Sequence, residues 1–412
     1  MELPRGVVAV KYLVQKFGGT SLVGEESRRR VADIILAARD RGYHPVVVVS
    51  AIGRKGDPYA TDTLLSMVRE IWPEIQGREL DLLLSCGEII SGVIMTATLR
   101  ARGAKAVFLT GGQAGIITDS NFNQASILEV RPQRIHNLSR EGNIVVVAGF
   151  QGVTEDGEIT TLGRGGSDTT AAALGVALEA EAVEIYTDVN GIMTADPRYV
   201  AEARPLDVVT YTEICNMAHM GAKVIHPRAV EIAMAKNIPL WVKCTFSDEP
   251  GTLVTTPQEV RSRVGIRDRV ITGIAHMDGI TQLRIPLQTN GDAPMRIFQA
   301  MADAGISVDF INVNPDKVIF TVNDEVQEKA VAILKEMGFK PEVIPDCAKV
   351  SCIGAGMAGV PGVMARIVSA LSREGINILQ SSDSHTTIWC LVKREDMERA
   401  LMALHREFEL HH

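Results

Sequence analysis

The C-terminal third of the chain repeats itself at a constant offset. Residues 296–306 (RIFQAMADAGI) resemble residues 366–376 (RIVSALSREGI), and residues 330–334 resemble residues 400–404, so both pairs lie 366 − 296 = 70 positions apart. A repeat of this length corresponds to one small supersecondary unit. The pattern of predicted strands and helices inside each copy indicates a βαββαβ module of the ferredoxin-like type. The chain is therefore expected to carry two such modules.

The second copy is one strand short of a complete module. Its pattern predicts a strand, a helix, two strands and a helix, and the sequence then ends at residue 412. A spare apolar run, residues 270–276, lies before the first copy. Because an unpaired strand edge would otherwise be exposed, we expect this run to cross over and complete the second module, which interleaves the two copies.

The region from Tyr12 to about Phe246 alternates apolar runs with helical patterns. Continuous Val, Ile, Leu and Ala runs are typical of strands that are buried on both faces, and their alternation with helices predicts a three-layer α/β sandwich with a mostly parallel sheet. The predicted strands are Tyr12–Lys16, Pro45–Ser50, Lys105–Leu109, Asn143–Ala148, Ala182–Thr187 and Pro239–Val242, and the predicted helices are Glu25–Arg41, Thr61–Arg102 and Ser167–Glu181. Turn formers at 247–252 mark the end of this domain.

These patterns divide the chain into three predicted domains. They are residues 1–255, residues 256–344 for the first module and residues 345–412 for the second. The net charge of −8 and the lack of a long Lys/Arg cluster argue against non-specific nucleic-acid binding. Six cysteines without CxxC spacing indicate neither a disulfide framework nor a zinc site. We expect a cytoplasmic protein, without secretion or membrane insertion.

A first glycine turn, Lys16–Ser21 (KFGGTS), follows a predicted strand and precedes a helix. Two glycines let the backbone approach a ligand while helix N–H groups point at an anion, so phosphate is the natural occupant. Lys16 would add a positive charge on the oxygens of a transferred group. Taken alone, the same residues also fit an ordinary tight turn with a surface lysine.

A second glycine turn, Gly163–Asp168 (GRGGSD), again opens a helix. Arg164 offers a planar fork for a carboxylate, Ser167 can cap the helix, and Asp168 can orient a lysine or hold a metal. A purely structural loop needs neither the arginine nor so many glycines. Two such turns in one domain favour a binding site.

Two further segments carry candidate ligand-binding residues. Thr187–Gly191 ends a strand and Thr194–Arg198 follows it, which is typical of a nucleotide-binding edge at the carboxyl ends of parallel strands. Gly221–Pro227 (GAKVIHP) adds a cation, Lys223, although a lone lysine is more often on the surface. We interpret His226 as a structural, hydrogen-bonded residue.

Taken in order, Lys16–Ser21, Gly163–Asp168, Thr187–Arg198 and Gly221–Pro227 resemble the aspartate kinases of the amino-acid kinase superfamily. The resemblance covers essentially the whole chain, because that family carries two ACT-type modules at its C-terminus. It implies an ATP- and Mg²⁺-dependent kinase that phosphorylates L-aspartate, with a feedback amino-acid effector and a homodimer or higher homo-oligomer formed through the ACT modules. No nucleic-acid or membrane partner is implied.

The resemblance also implies roles for individual residues. Lys16 and Asp168 are the implied catalytic residues, with Asp168 organising the lysines. Met193 stands where the family often has tyrosine, and its flexible thioether can fill the same apolar space near the adenine. The residues implied around ATP are Lys16, Gly18, Gly19, Thr187, Asp188, Met193, Arg198 and Lys223, and those implied around aspartate are Ser50, Thr61, Glu88, Arg164 and Ser167.

The chemistry of such a reaction follows from its substrates. An aspartate side chain has a reference pKa near ~3.9, so it is an ionised nucleophile at neutral pH and no general base is required. The protein must hold two anions in line, and Lys16, Lys223, helix N-termini and magnesium would offset their repulsion. The product would be 4-phospho-L-aspartate, the first intermediate toward lysine, diaminopimelate, threonine and methionine.

Residues 354–359 (GAGMAG) match the GxGxxG dinucleotide pattern, but only 412 − 359 = 53 residues follow, too few for a dinucleotide-binding fold. We interpret this stretch as the strand-to-helix loop of the second module. Asp292, Met295 and Asn312 of the first module are the residues expected nearest to an effector. The second module could equally serve only to dimerise the protein.

Two other functions remain open at this point. They are a kinase for glutamate, acetylglutamate or a nucleoside monophosphate, and a sensor that binds amino acids without turnover. A dehydrogenase, the function that the GxGxxG-like stretch suggests, is disfavoured by the short chain that follows it, and NAD(P)H binding would be its test. The identity of the effector, whether lysine, threonine or diaminopimelate, depends on a few side chains in a shared pocket.

Overall fold

The computed structural model describes residues 10–222, 224–264, 270–287 and 291–412, and it divides into two compact units. The first contains residues 10–192, 205–218 and 224–264, and the second contains residues 193–204, 219–222 and the described residues from 270 onward. The predicted boundary at 255/256 lies just before a helix, Pro257–Val264, that belongs to the first unit.

The first unit is built from twelve described strands and eight helices. The strands are β1 (Tyr12–Phe17), β2 (His44–Val49), β3 (Ala106–Leu109), β4 (Ile116–Thr118), β5 (Ile127–Val130), β6 (Ile144–Ala148), β7 (Gln151–Val153), β8 (Ile159–Thr161), β9 (Ala182–Thr187), β10 (Val208–Thr210), β11 (Leu240–Cys244) and β12 (Thr252–Thr255). The helices are α1 (Gly24–Asp40), α2 (Thr61–Arg69), α3 (Arg78–Ala101), α4 (Gln133–Arg140), α5 (Gly166–Ala177), α6 (Tyr211–His219), α7 (Pro227–Met234) and α8 (Pro257–Val264).

A central sheet with the order β10-β12-β11-β9-β1-β2-β6-β3 forms the middle layer. All of its pairs are parallel except β11 with β12, so the sheet is mostly parallel, as predicted. The valines of β2 and β6 are fully buried because helices cover both faces. A separate small sheet, β5-β4-β7-β8, was not predicted, since its strands are only three or four residues long.

The alternation of side chains along β1 assigns the two faces of the sheet. Phe17 packs with α1 and α3 in a core cluster that includes Ile35 and Leu99. Lys16 points to the opposite face, where α5 packs against β1 and β9 and also against α7. The predicted three-layer sandwich is therefore present.

The helical stretch predicted over Thr61–Arg102 is present, but it is not one continuous helix. It is two helices, α2 and α3, separated by residues 70–77. Pro73 lacks a backbone N–H donor, and Gly77 adopts a φ of 84°, which turns the chain before α3 begins. The apolar periodicity on both sides of this break conceals it in the sequence.

Helix α3 is long and apolar enough to cross a membrane by its length and composition. It packs beside α1 on one face of the sheet, against β3 and β6, and 50% of its most apolar window is buried inside the protein. It carries two buried carboxylates, Asp81 and Glu88. A core helix of a globular domain has these properties.

The second unit contains a six-stranded sheet with the order β14-β15-β13-β16-β18-β17. Its strands are β13 (Gly273–Pro286), β14 (Asp309–Asn314), β15 (Lys317–Asn323), β16 (Glu342–Ile353), β17 (Gln380–Asp383) and β18 (Thr387–Lys393). Its helices are α9 (Ala293–Asp303), α10 (Gln327–Glu336), α11 (Val363–Arg373) and α12 (Met397–Glu407).

The two long strands β13 and β16 join the two copies. The start of β13, Gly273–Met277, pairs with the end of β16, Lys349–Ile353, while the later part of β13 pairs with β15 of the first copy. The apolar run at residues 270–276, which was predicted to cross over to the second copy, thus continues in β13 into the first strand of the first copy. Each copy retains its own core beneath its two helices.

The GxGxxG-like stretch lies in the loop after β16. A short 3₁₀ turn, Ala355–Met357, follows the strand, and α11 begins only at Val363. A Cβ on Gly354 would lie 2.2 Å from the carbonyl oxygen of Val270, so this glycine permits a close backbone approach within the second unit. This packing agrees with a structural loop.

Candidate active site

The two glycine turns of the first unit converge on one ion pair. Lys16, near the carboxyl end of β1, places its Nζ 2.8 Å from Oδ1 of Asp168, which lies in the first turn of α5. Both side chains are only 13% exposed. Because β1 and α5 are far apart in sequence, this contact can form only if the turns share one edge of the sheet.

Gly19 allows the loop after β2 to lie directly on the first turn. A Cβ at this position would stand 2.5 Å from the carbonyl oxygen of Ala51 and 2.6 Å from that of Gly53. The N–H of Gly53 donates to the carbonyl of Gly19 at 3.1 Å, and the N–H of Ser50 donates to that of Phe17 at 3.1 Å. The carboxyl ends of β1 and β2 therefore form one continuous surface that contains Ser50.

A buried carboxylate lies directly behind this surface. Glu88 of α3 is 2% exposed, and its Oε1 accepts a hydrogen bond from the N–H of Ala51 at 3.0 Å. Its Oε2 has no hydrogen-bond partner within the described ranges. Burial raises the pKa of Glu88 to about 8. Thr61, half-buried, begins α2, which packs against α3.

The second turn presents an arginine to solvent. Arg164 is exposed and makes no ion pair with the part of the chain that the structure describes. Ser167 is 9% exposed, and a Cβ built on Gly149 would lie 2.8 Å from its Oγ, so this serine packs where β6 ends. The prediction that Ser167 caps the helix is wrong, because α5 begins at Gly166 with the left-handed Gly165 in the N-cap position.

Gly165 is under two constraints, and we expect its replacement by alanine to lower the free energy of unfolding by about 2 kcal/mol or more. Its φ is 66°, and a Cβ would lie 2.2 Å from the His226 ring. Gly157 has a φ of 88° but no described atom within 4 Å of such a Cβ, so Gly157→Ala isolates the backbone cost. Urea unfolding of both variants measures the difference, and equal losses would exclude a steric role for His226.

His226 and Arg228, at the start of α7, hold this turn in place. The Nδ1 of His226 accepts from the N–H of Arg228 at 3.3 Å and caps the helix, which agrees with the structural role expected for it. The guanidinium of Arg228 donates to the carbonyls of Leu162 at 3.2 Å and Ala125 at 3.1 Å. Arg228 was not among the predicted residues, and its position after the His-Pro pair is the only local signal for it.

An ion pair joins two other loops at this edge. The Oγ1 of Thr187, the last residue of β9, donates to Oδ1 of Asp188 at 3.1 Å, and Nη2 of Arg54 lies 2.5 Å from Oδ2 of Asp188. Arg54 was not among the predicted residues. The pair is exposed and contributes little to stability, but it places a further cation beside the ends of β1 and β9.

Several predicted residues lie outside the first unit or outside the described residues. Met193 and Arg198 belong to the second unit, where Nη2 of Arg198 is 2.6 Å from Oδ2 of Asp196. Lys223 lies outside the described residues. Asp292, Met295 and Asn312 are exposed residues of the second unit. The roles assigned to these residues remain predictions.

A doubly covered parallel sheet, with two glycine turns meeting over a lysine–aspartate pair, is typical of an enzyme that binds a phosphate-bearing ligand and an acidic one. The sequence model of the amino acid kinase family matches residues 11–244, and that of the ACT domain matches residues 342–406. The class is thus a small-molecule kinase with a C-terminal ACT region.

Full-length relatives narrow this class. Aspartokinase 1 of Bacillus subtilis is 53% identical over 402 residues, which cover 97% of this chain and 100% of the relative. The aspartokinase of Mycolicibacterium smegmatis is 41% identical over 97% of this chain and 96% of its own length. The chain belongs to the aspartokinases of the amino acid kinase family and is an aspartate kinase.

Solved structures agree with this assignment. The aspartate kinase of Clostridium acetobutylicum matches with a TM-score of 0.79 and 25% identity, covering 96% of this chain and 100% of that one. Aspartokinase III of E. coli in complex with aspartate and ADP matches with a TM-score of 0.76 and 27% identity, covering 96% of this chain and 99% of that one.

Proposed function

We propose that the enzyme transfers the γ-phosphoryl group of ATP to the side-chain carboxylate of L-aspartate and forms 4-phospho-L-aspartate at the Lys16–Asp168 edge. The observation that carries this proposal is the 2.8 Å contact between Lys16 and Asp168 at the meeting point of two glycine turns. The complex of E. coli aspartokinase III with aspartate and ADP supports it.

Each group at this edge has a task in the proposed reaction. The carboxylate of the substrate is already ionised at neutral pH and attacks without a general base. Lys16 balances the charge on the moving phosphoryl group, and Asp168 holds the ammonium in place. Arg164, exposed and without an ion pair to any described residue, fits the α-carboxylate of aspartate.

Magnesium fits this site as an ion held chiefly by the nucleotide. Mg²⁺ commonly uses substrate phosphate oxygens, water and one or two carboxylates. Among the described residues of the first unit, no group of three ligand side chains is gathered at this edge, and Asp168 is the carboxylate available beside Lys16. When bound, the ion would neutralise phosphate charge.

The direct test is incubation with ATP, Mg²⁺ and L-aspartate in the presence of hydroxylamine, which traps an acyl phosphate as a hydroxamate. Aspartyl hydroxamate formed together with an equal amount of ADP is the expected result. Glutamate, acetylglutamate and a nucleoside monophosphate serve as alternative acceptors in parallel reactions. ADP release only with one of these, or none at all with aspartate, would reject the proposal.

Glu88 predicts a pH dependence of aspartate binding. Its Oε2, buried and unpartnered in the free enzyme, would accept from the α-ammonium group of the substrate once aspartate binding opens a path to it, and this contact requires the ionised carboxylate. Since burial raises its pKa to about 8, the free enzyme must release a proton to bind, and affinity should rise with pH until about pH 8. Calorimetry in buffers of different ionisation enthalpy should detect this proton release.

The Glu88→Gln variant is the matched control, because it keeps the shape and cannot titrate. We expect weaker binding of aspartate and no proton release below pH 8. The raised pKa of Glu88 also lowers the stability of the free enzyme. This loss is absent below the unfolded pKa, grows as the pH rises, and is complete above the folded pKa of about 8. A wild-type stability that does not fall between pH 5 and pH 8 relative to Glu88→Gln would contradict this assignment.

Regulation and pathway position complete the proposal. The ACT region supports feedback by a pathway end product, lysine, threonine or diaminopimelate, with a coupling of about 1–3 kcal/mol. E. coli aspartokinase III has been solved with lysine and aspartate. We propose the first step of synthesis of the aspartate-derived amino acids, a cytoplasmic location and a homo-oligomer. Initial rates with each candidate effector test the feedback.

A further inference from the structure

Three potential metal ligands from separate parts of the second unit lie close together. They are Glu202 in the segment 193–204, His405 in α12 and His411 in the turn after α12, and one ligand atom of each lies within 4.8 Å of the others. No residue of this cluster belongs to the proposed kinase site.

His405 distinguishes this cluster from a chance grouping of exposed side chains. Its side chain is fully buried, and Nε2 lies 3.0 Å from Oγ1 of Thr194. Nδ1 is buried and has no hydrogen-bond partner in the described part of the chain. An unpaired buried nitrogen is costly, so a missing ligand is one physical explanation for it.

The contact with Thr194 suits a metal-binding histidine. When Nε2–H donates to Oγ1 of Thr194, Nδ1 keeps its lone pair and is free to bind a cation. Metal-ligating histidines usually donate their second N–H to an oxygen in this way, which holds the tautomer and orients the ring.

His411 is held by ordered structure. Glu409 adopts a φ of 52° and reverses the chain after α12, and the N–H of Leu410 donates to the carbonyl of His405 at 3.1 Å. The side chain of Leu410 is 2% exposed in the core of the second copy. Nε of Arg204 donates to the carbonyl of Leu410 at 3.1 Å, so this arginine also holds the turn in place.

We propose that Glu202, His405 and His411 bind a divalent transition-metal cation of the Zn²⁺ type, which ties the segment 193–204 to the end of α12. Two imidazoles and one carboxylate are a known zinc ligand set, whereas Mg²⁺ and Ca²⁺ prefer oxygen ligands alone. Bonds of about 2.0–2.1 Å place tetrahedral ligands about 3.3 Å apart. Because the side chains of Glu202 and His411 are exposed, they are free to approach the buried Nδ1 of His405.

The test is titration of the full-length, metal-stripped enzyme with Zn²⁺ and, for spectroscopy, with Co²⁺, both without nucleotide. We expect one ion per chain and a visible Co²⁺ spectrum of a low-coordinate nitrogen–oxygen site. Glu202→Gln and His411→Ala should each weaken binding at least about tenfold. At the same concentration, Zn²⁺ should raise the unfolding temperature of the wild type more than that of either variant.

Because Glu202 and His411 are exposed, both variants should unfold like the wild type in the presence of a chelator. His385→Ala removes an exposed histidine elsewhere in the second unit and should bind Zn²⁺ normally. Unchanged affinity in either Glu202→Gln or His411→Ala would overturn the proposal. A sulfur-to-cobalt charge-transfer band would do the same, since it would assign the ion to a cysteine.

Discussion

The Lys16→Met variant is expected to lose about 10²–10³-fold in kcat with little change in fold, because it removes one preorganised positive charge from the site of phosphoryl transfer. Methionine is an unbranched side chain one atom shorter than lysine, so it keeps most of the apolar stem. In the wild type the Lys16 side chain is only 13% exposed and its Nζ lies 2.8 Å from Oδ1 of Asp168, so water cannot readily replace it. Hydroxamate formation at saturating aspartate measures the effect.

Lys11→Met is the matched control for this experiment. Lys11 lies just before β1, its side chain is 61% exposed, and its ion pair with Glu181 spans 3.6 Å. A screened surface pair of this kind contributes little, so kcat should remain that of the wild type. If Lys16→Met also remained fully active, the assignment of the catalytic edge would have to be abandoned.

Asp81→Leu should lower the free energy of unfolding of the first unit by about 3–5 kcal/mol, because several buried donors lose their acceptor at once. Asp81 is fully buried in α3 and accepts from the N–H and Oγ1 of Thr161 at 2.8 and 2.5 Å. It also accepts from the N–H and Nδ2 of Asn123, at 3.0 and 2.5 Å. This one carboxylate thus links β8 and the loop before β5 to α3 through hydrogen bonds.

Urea unfolding can report on the first unit through Trp241 in β11, in a background that lacks Trp72 and Trp389. The control is Glu79→Leu, an exposed carboxylate two residues before Asp81 on the same helix, whose loss should change stability by less than about 0.5 kcal/mol. Equal midpoints for the two variants would show that the buried hydrogen bonds of Asp81 contribute nothing.

Tertiary burial decides the properties that local patterns cannot express. In the sequence Glu88 is one acidic residue on an apolar helix, and only its burial in the folded protein raises its pKa to about 8, although the hydrogen bond from the N–H of Ala51 acts to lower it. Asp81, Arg54 and Arg228 act through partners far away in sequence, so no spacing rule marks them. The break between α2 and α3 was missed because the apolar period resumes on both sides of it.

The sequence by itself determined the features that depend on short-range chemistry. Glycine pairs after apolar runs predict phosphate-type turns, since backbone approach and helix N–H groups are local properties. The 70-residue repeat predicts two like modules. Only the tertiary structure brought Lys16 to Asp168 and His405 to His411 and Glu202, because long-range packing decides which buried atoms meet and which are left without a partner.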